Sequence, residues 1–372
     1  MKVLFLIFHG FSDANGITKK IRYQIKALTD DGMDVRLCHY HITDDGHRQW
    51  VVNGEVISDL GCGVKAKIKK RISYRPITDF VGSEKIDWVY IRSYHNANPF
   101  TITLVKTIRR LGAKVVMEIP TYPYDREYST FRRKLDLFVD WLFRRSLAVH
   151  LNNIVTFSNE DRIFGCPTLR ISNGIDFDSI PLKQHVNDLS VELHLIGVAE
   201  IHFWHGFDRV VKGLAAYYQS DPAYKVYFHI VGNLNGELER QEILPVIEEN
   251  HLQQYVILHG AQSGAALDEL FEKADCGVGS LGRHRSGITH IKTLKNREYA
   301  ARGIPFIYSE IDDDFEHQPY IMKAPADETP IDIPLLIDFC RSLSLTPPEI
   351  RKSIRHLSWN EQMQRVIDSI NK

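Results

Sequence analysis

Short apolar runs alternate with longer stretches of helical period along the whole chain. In the first half, runs at residues 3–8, 35–39, 88–92, 114–118 and 154–157 predict strands, and amphipathic stretches at 17–30, 99–111 and 129–149 predict helices. In the second half, runs at 191–198, 225–231, 256–259, 276–280 and 305–308 alternate with helical stretches at 206–219, 238–250, 264–274 and 294–302. Strand–helix alternation repeated twice predicts an α/β chain of two doubly wound, Rossmann-like domains with parallel sheets. The join falls between 176 and 189, where Pro181 and polar residues interrupt the pattern. An extra hairpin is predicted over 49–58, turning at Asn53 and Gly54, a strong turn dipeptide. Ligands of such folds collect outside the C-terminal ends of the strands, so the expected site is a cleft between the domains.

Composition narrows the partners. A length of 372 residues suits two domains, and the formal charge of −1 argues against a general polyanion binder, so any basic surface must be local. The five cysteines (Cys38, Cys62, Cys166, Cys276, Cys340) have no CxxC spacing, which fits free thiols in a reducing compartment better than a disulfide framework or a zinc site. Residues 1–8 read as a buried first strand, too short for a signal-peptide core, and no apolar run reaches membrane-spanning length. The expectation is a cytoplasmic protein.

The densest chemistry lies at Ser280-Leu281-Gly282-Arg283-His284-Arg285-Ser286-Gly287 and at Leu294-Lys295-Asn296-Arg297-Glu298, which runs into Gly303 and the strand at 305–308. Cations and free backbone N–H groups ahead of a helix favour phosphate oxygens. A single carboxylate among them, Glu298, can instead accept hydrogen bonds from ribose hydroxyls. Together they describe a nucleotide-diphosphate site. The plainer reading is a solvated, salt-bridged surface in which Glu298 pairs with Arg302 four residues on; position and composition favour the diphosphate.

Other segments are weaker singly. Gly16, with Asn15 before it and Lys19 after, ends the first βα turn; it allows close backbone approach or is an ordinary turn. That turn is not GxGxxG, and the second strand ends in Cys38-His39-Tyr40 without a ribose-binding acid, so a dinucleotide oxidoreductase is disfavoured. His205 follows the first strand of the second half and either contacts a phosphate or packs beside aromatics. Gly232-Asn233 and His259-Gly260 sit at strand ends, as turns or as ligand contacts. Asp312-Asp313-Asp314 reads as a solvated loop, and no Asp-x-Asp sits at a plausible metal position. The basic run from Lys65 to Arg75 suits contact with an anionic bilayer about as well as plain solvation. The aromatic stretch 135–143 reads as core. No nucleic-acid motif is present.

In this order and spacing the segments resemble the retaining GT-B glycosyltransferases of family 4, over nearly the whole chain. The marks are the Gly16 loop, Ser172-Asn173-Gly174-Ile175-Asp176, His205-Gly206-Phe207-Asp208, Gly232-Asn233, His259-Gly260, the run from Glu298 to Pro305, and Ser358-Trp359 before a final helix. The resemblance implies GT-B architecture, with two Rossmann-like domains facing across a cleft: an acceptor-side domain over 1–178, a donor domain over 186–356, and a helix over 357–372 crossing back to the first. It implies transfer of a sugar from a nucleotide-diphosphate donor to a glycan or lipid-linked glycan, with retention, no metal and no cofactor. Donor contacts would come from Gly16, His205, Gly232, Asn233, His259, Gly260, His284, Arg285, Lys295 and Glu298, with Arg285 and Lys295 stabilising the leaving diphosphate. The family's pair of glutamates is incomplete here: Glu298 matches the second, and His290 holds the place of the first. Glu200 and His205 stand where the family shows Arg and Lys. Pro120 occupies the place of a His near the reacting sugar, so Glu118, Thr121 or Tyr122 would supply that contact, with Asn15 and Lys19 on the acceptor side. The subgroup with this loop occurs in bacterial surface-polysaccharide clusters, which implies polysaccharide biosynthesis at the inner face of the membrane. A sugar-nucleotide epimerase of the same fold and a non-catalytic nucleotide-sugar binder are the alternatives.

Overall fold

The computed structural model describes residues 1–10, 16–125 and 131–371. In chain order these form β1 (Lys2–Ile7), α1 (Gly16–Asp30), β2 (Asp34–Ile42), β3 (Arg48–Val52), β4 (Glu55–Asp59), α2 (Gly63–Ile72), α3 (Arg75–Glu84), β5 (Trp88–Arg92), α4 (Pro99–Arg110), β6 (Lys114–Ile119), α5 (Phe131–Ala148), β7 (Asn153–Thr156), β8 (Arg162–Ile163) and β9 (Cys166–Arg170). Then follow β10 (Glu192–Val198), α6 (Phe207–Tyr218), β11 (Lys225–Val231), α7 (Glu237–Glu249), β12 (Val256–Gly260), α8 (Gly264–Lys273), β13 (Cys276–Val278), α9 (Leu294–Arg302), β14 (Phe306–Tyr308), β15 (Ile321–Lys323), α10 (Ile333–Ser342), α11 (Pro347–Ser353) and α12 (Trp359–Asn371). Two compact units result: unit 1 is Met1–Ser172 with Trp359–Lys372, and unit 2 is Asn173–Ser358.

Unit 1 is a sheet in the order β4-β3-β2-β1-β5-β6-β7-β9-β8. Its strands from β2 to β9 run parallel, and the β3–β4 hairpin and β8 are antiparallel additions at the two edges. The hairpin turns where expected, with Asn53 and Gly54 both at positive φ (48° and 93°), the conformation a two-residue turn needs to match strand twist. β1 is apolar from Val3 onward because helices cover both faces. Leu4 and Leu6 join the core under α4 and α5, while Val3, Phe5 and Ile7 join the core under α1 and α12. α12 is held by Trp359, Met363, Val366, Ile367 and Ile370, one helical stripe; at about 1.5–3 kcal/mol per buried side chain, this is what keeps the last residues with unit 1.

Unit 2 is a fully parallel sheet in the order β12-β11-β10-β13-β14-β15. One face is buried under α6 and α10, the other under α8, α9 and α11. α9 is bounded as its sequence demands. The Thr293 side chain accepts from the Asn296 N–H at its start, and Gly303 ends it at φ 78°, where a Cβ would lie 2.5 Å from Pro347.

The basic run 65–75, to which the periodicity assigns no element, folds into α2 and the start of α3. One expectation needs correction. The stretch 135–143 is core on one face only: Leu137 and Phe143 pack against the core, while Leu135, Phe138, Trp141 and Leu142 are all at least half exposed. α5 is anchored also through Leu147 and Ala148 and through buried Asp140, which accepts from the Tyr124 hydroxyl (2.7 Å) and the Ala97 N–H (2.9 Å).

Candidate functional site

The charges that stand together in the sequence of unit 2 separate in space into three groups. Arg297 is 1% exposed and belongs to the core. It donates to Asp312 through both terminal nitrogens (2.7 and 3.0 Å), to Asp314, and to the carbonyls of Asn173 and Thr293 (2.9 Å each). The expected solvated Asp loop is corrected at its two ends, while Asp313 between them is exposed: Asp312 is fully buried and, with Asp314, pairs Arg297, a charge that could not otherwise be desolvated.

Arg285 forms the second group. Its nitrogens donate to both oxygens of Asp208 (2.9 Å each), to both oxygens of Glu328 (2.9 and 2.5 Å) and to the carbonyl of Phe203 (2.8 Å). Every N–H of the guanidinium is thereby occupied. Its hydrogen bonds to Glu328 and Asp208 raise its pKa against burial, and the same bonds, led by Arg285, hold the Glu328 carboxyl at about 2. His284 Nε2 shares Glu328 (2.7 Å). This network ties the turn at residues 283–286 to the turn at 203–205 and to the first turn of α6. Backbone contacts reinforce it: Leu281 N–H donates to His205 O (2.8 Å), and a Cβ on Gly206 would sit 2.6 Å from Gly282 N. Glu239, buried on the first turn of α7, accepts from the Phe203 N–H (2.9 Å).

The third group is different. Lys295 Nζ is buried with no hydrogen-bond partner, and so are both carboxylate oxygens of Glu310 and the Ser280 hydroxyl. Ser280 and Glu310 follow β13 and β14, at the C-terminal end of the sheet, and Lys295 stands in the first turn of α9, where the helix dipole disfavours a cation. Burial pushes the Lys295 amine down, with Arg283 adding repulsion, and burial pushes the Glu310 carboxyl up. His205 belongs here too. Its Nδ1 accepts from the His202 N–H (3.0 Å), which leaves the proton on Nε2. Burial, with Lys295 and Arg283 close by, drives its pKa well below the ordinary value, so it is a neutral donor at physiological pH. Buried polar groups are normally satisfied at a gain of about 1 kcal/mol each, and leaving them bare costs about 1–3 kcal/mol. A cluster of them at strand ends is what a polar ligand would complete.

The remaining expected residues fall elsewhere. Glu298 is one-third exposed on α9, and its Oε1 accepts from Arg302 (3.0 Å), the plainer of the two readings given above. Gly232 packs so tightly that a Cβ would lie 1.7 Å from Ala199 O; its N–H donates to Gly260 O (2.7 Å), and Asn233 Oδ1 accepts from the Ala261 N–H (3.2 Å). These residues clasp the ends of β11 and β12. His259 joins His229 and His194 in a ladder of rings across β12, β11 and β10, with 2.9 Å between successive nitrogens, so its Nε2 is committed to His229. Gly16 and Lys19 are exposed at the start of α1, and Asn15 lies outside the described residues. Thr121 and Tyr122 are half-buried after β6; Tyr122 lines a cavity of about 730 Å³ in unit 1 with Trp141, Leu142, Arg144, Arg145, Phe164 and Gly165.

Glu118 is corrected outright as a sugar contact. It is fully buried, accepts from Gln24 Nε2 and the Tyr90 hydroxyl (2.7 Å each), and pairs with Lys20 (3.2 Å) and Arg92. Burial alone would raise its pKa; Lys20 and Arg92, with the two hydrogen bonds, outweigh that and hold it at about 2. Sequence reasoning missed Glu310 and Glu328, and it gave Asp208 no role of its own. For Glu310 a signal existed: it stands two residues past an apolar parallel strand, the position at which such sheets present their chemistry.

No family model matches this sequence, and no curated protein matches it. Solved structures do. A glycosyltransferase from Rickettsia africae superimposes with a TM-score of 0.63 at 13% identity, covering 100% of this chain and 97% of that one. Anabaena HepE in complex with UDP is similar at a TM-score of 0.64 and 14% identity, with 100% of each chain covered. The catalytic domain of starch synthase IV from Arabidopsis thaliana, bound to ADP and acarbose, is similar at 0.63 and 13%, covering 100% and 98%. The fold of this chain, two Rossmann-like parallel-sheet units, is that of GT-B glycosyltransferases.

Proposed function

We propose that this chain is a retaining glycosyltransferase of family 4 type that transfers a sugar from a nucleotide-diphosphate donor to a hydroxyl of a glycan or lipid-linked glycan, without metal or cofactor. The observation that carries the reading is the set of bare buried polar groups, Lys295 Nζ and both Glu310 oxygens, at the strand ends of a unit with this fold. As the glycosidic bond breaks, negative charge develops on the β-phosphate. Lys295 and the Nε2–H of His205 are fixed donors there, and a fixed donor costs no reorganisation when charge appears. Arg283 lies within electrostatic reach of both. Arg285 serves as a positioning residue: its carboxylate partners leave it no N–H for a phosphate, and it holds the two turns that carry His205 and Arg283. Glu298, steadied at Oε1 by Arg302, presents its other oxygen to the ribose. A departing phosphate oxygen takes the acceptor proton on the same face, which needs no carboxylate nucleophile and agrees with the enclosure of Glu118. Gly232, Asn233 and Gly260 shape the backbone around the donor. Tyr122, Thr121 and Lys19 stand on the acceptor side. The protein works in polysaccharide biosynthesis on the cytoplasmic side of a membrane, contacting it through Lys65, Lys67, Lys69 and Arg71 of α2.

Calorimetry with UDP, GDP, ADP and dTDP tests the donor site. At least one should bind, and Lys295→Ala and Glu298→Ala should each weaken that binding at least tenfold. Binding should also take up protons near pH 8, because a bound diphosphate raises the amine that burial has pushed down, and this uptake should vanish in Lys295→Ala. Silence with all four nucleotides, or wild-type affinity in both variants, refutes the site.

A further inference from the structure

α5 packs Leu137, Phe143, Leu147 and Ala148 against the core and leaves a second apolar stripe bare. Leu135, Phe138, Trp141 and Leu142 are 50–56% exposed, and the rings of Phe138 and Trp141 stack on one another, centroids 6.1 Å apart, with no core above them. α2 lies alongside, fastened by a two-pronged pair between Arg71 and Asp136 (2.8 and 3.0 Å). It contributes exposed Val64, Ile68 and Ile72, and its ten residues include five cations (Lys65, Lys67, Lys69, Lys70, Arg71) and no acid. α5 adds exposed Arg133, Lys134 and Arg145, and its acids are already engaged: Asp136 by Arg71, Asp140 by Tyr124 and Ala97. At the C-terminal half of α5 the 730 Å³ cavity opens between Trp141 and Phe164, with Arg144 and Arg145 in its wall. Arg144 is fixed there by Asp125 (2.6 Å) and lies 4.5 Å from the Phe164 ring.

We propose that α2 and α5 together form a docking surface for an anionic lipid bilayer, in which the exposed α5 side chains enter the interface and the cavity beside Trp141 seats an anionic lipid headgroup. Aromatic and aliphatic side chains backed by cations are the composition that binds such an interface, through buried apolar area plus attraction to acidic lipids. A second copy of this chain fits badly, since a symmetric contact would bring the α2 and α5 cations against themselves. Nucleic acid would use the cations and stack on the rings, but it would leave Val64, Ile68, Leu135 and Leu142 without apolar cover. The inference rests on the membrane contact proposed for α2 only in its basic half; the exposed α5 side chains and the headgroup seat beside Trp141 stand apart from that contact.

Sedimentation of the full chain with vesicles of phosphatidylcholine alone, or of phosphatidylcholine and phosphatidylglycerol at about 3:1, separates the parts. The wild type should bind the anionic vesicles at least tenfold better than neutral ones, as expected for several cations at about 1 kcal/mol each near the surface. Phe138→Ser/Trp141→Ser and, separately, Lys134→Glu/Arg145→Glu should each lose binding at least fivefold with unchanged thermal midpoints, since these residues are exposed. Wild-type binding by both α5 variants overturns the inference; if Lys65→Glu/Lys67→Glu/Lys69→Glu then still abolishes sedimentation, the α2 contact stands alone. A concentration-dependent dimer without lipid, abolished by Phe138→Ser/Trp141→Ser, also overturns it.

Discussion

Glu118 near the end of β6 and Glu310 just past β14 hold related positions in the two sheets, and each is at most 2% exposed. Glu118 is met by two cations and two hydrogen-bond donors, and its carboxyl is held ionised down to about pH 2. Glu310 has a lysine in its neighbourhood but no hydrogen bond on either oxygen, and its carboxyl is pushed the other way. One acid is finished and serves the fold. The other is unfinished and costs the fold, a burden that sites built for a ligand carry until the ligand arrives. Under the proposed function, paired and unpaired buried charges divide stability from ligand binding within one molecule.

The sharpest break of this contrast is Glu118→Ala, which strands Lys20 and Arg92 in a dry interior and should cost about 3–5 kcal/mol of unit 1 stability in denaturant melts. Its pH signature follows from the depressed pKa. The stabilisation is complete above the ordinary carboxylate value of 4.5 and is lost as pH falls towards about 2, so the variant should show a flatter stability profile across that window. Next in size, Arg285→Gln should destabilise unit 2 by about 2–3 kcal/mol, less than a fully buried pair because Glu328 stays hydrated. Smallest and opposite in sign, Lys295→Met should stabilise by about 1 kcal/mol by removing an amine that burial disfavours, while abolishing nucleotide binding. A destabilised Lys295→Met would erase the distinction between the two acids.

Much of the architecture was legible beforehand. Apolar runs such as 3–8 and 225–231 became central strands, and Asn53-Gly54 became the hairpin, because burial on both faces and a positive-φ turn each leave a local signature. α2 is hidden because lysines break its periodicity, and the exposed stripe of α5 cannot be told from the buried one because an apolar helical stripe reads the same whether core or nothing lies above it. Lys295 and His205 stand out in the sequence as chemistry at strand and helix ends, whereas nothing in the sequence reading singles out Glu310, although it follows an apolar strand.

Linear order was enough to establish an α/β chain with two doubly wound sheets and to place cations near a helix start in the second, since strand and helix periods and cap residues act over a few neighbours. It could not say which charge is spent and which is free. Arg285 is used up by Asp208 and Glu328, 77 and 43 residues distant, and Arg297 by Asp312 and Asp314, while Lys295, between them, meets no partner. Electrostatic pairing depends on which loops the sheet brings within about 4 Å, and that distance exists only once the chain has folded.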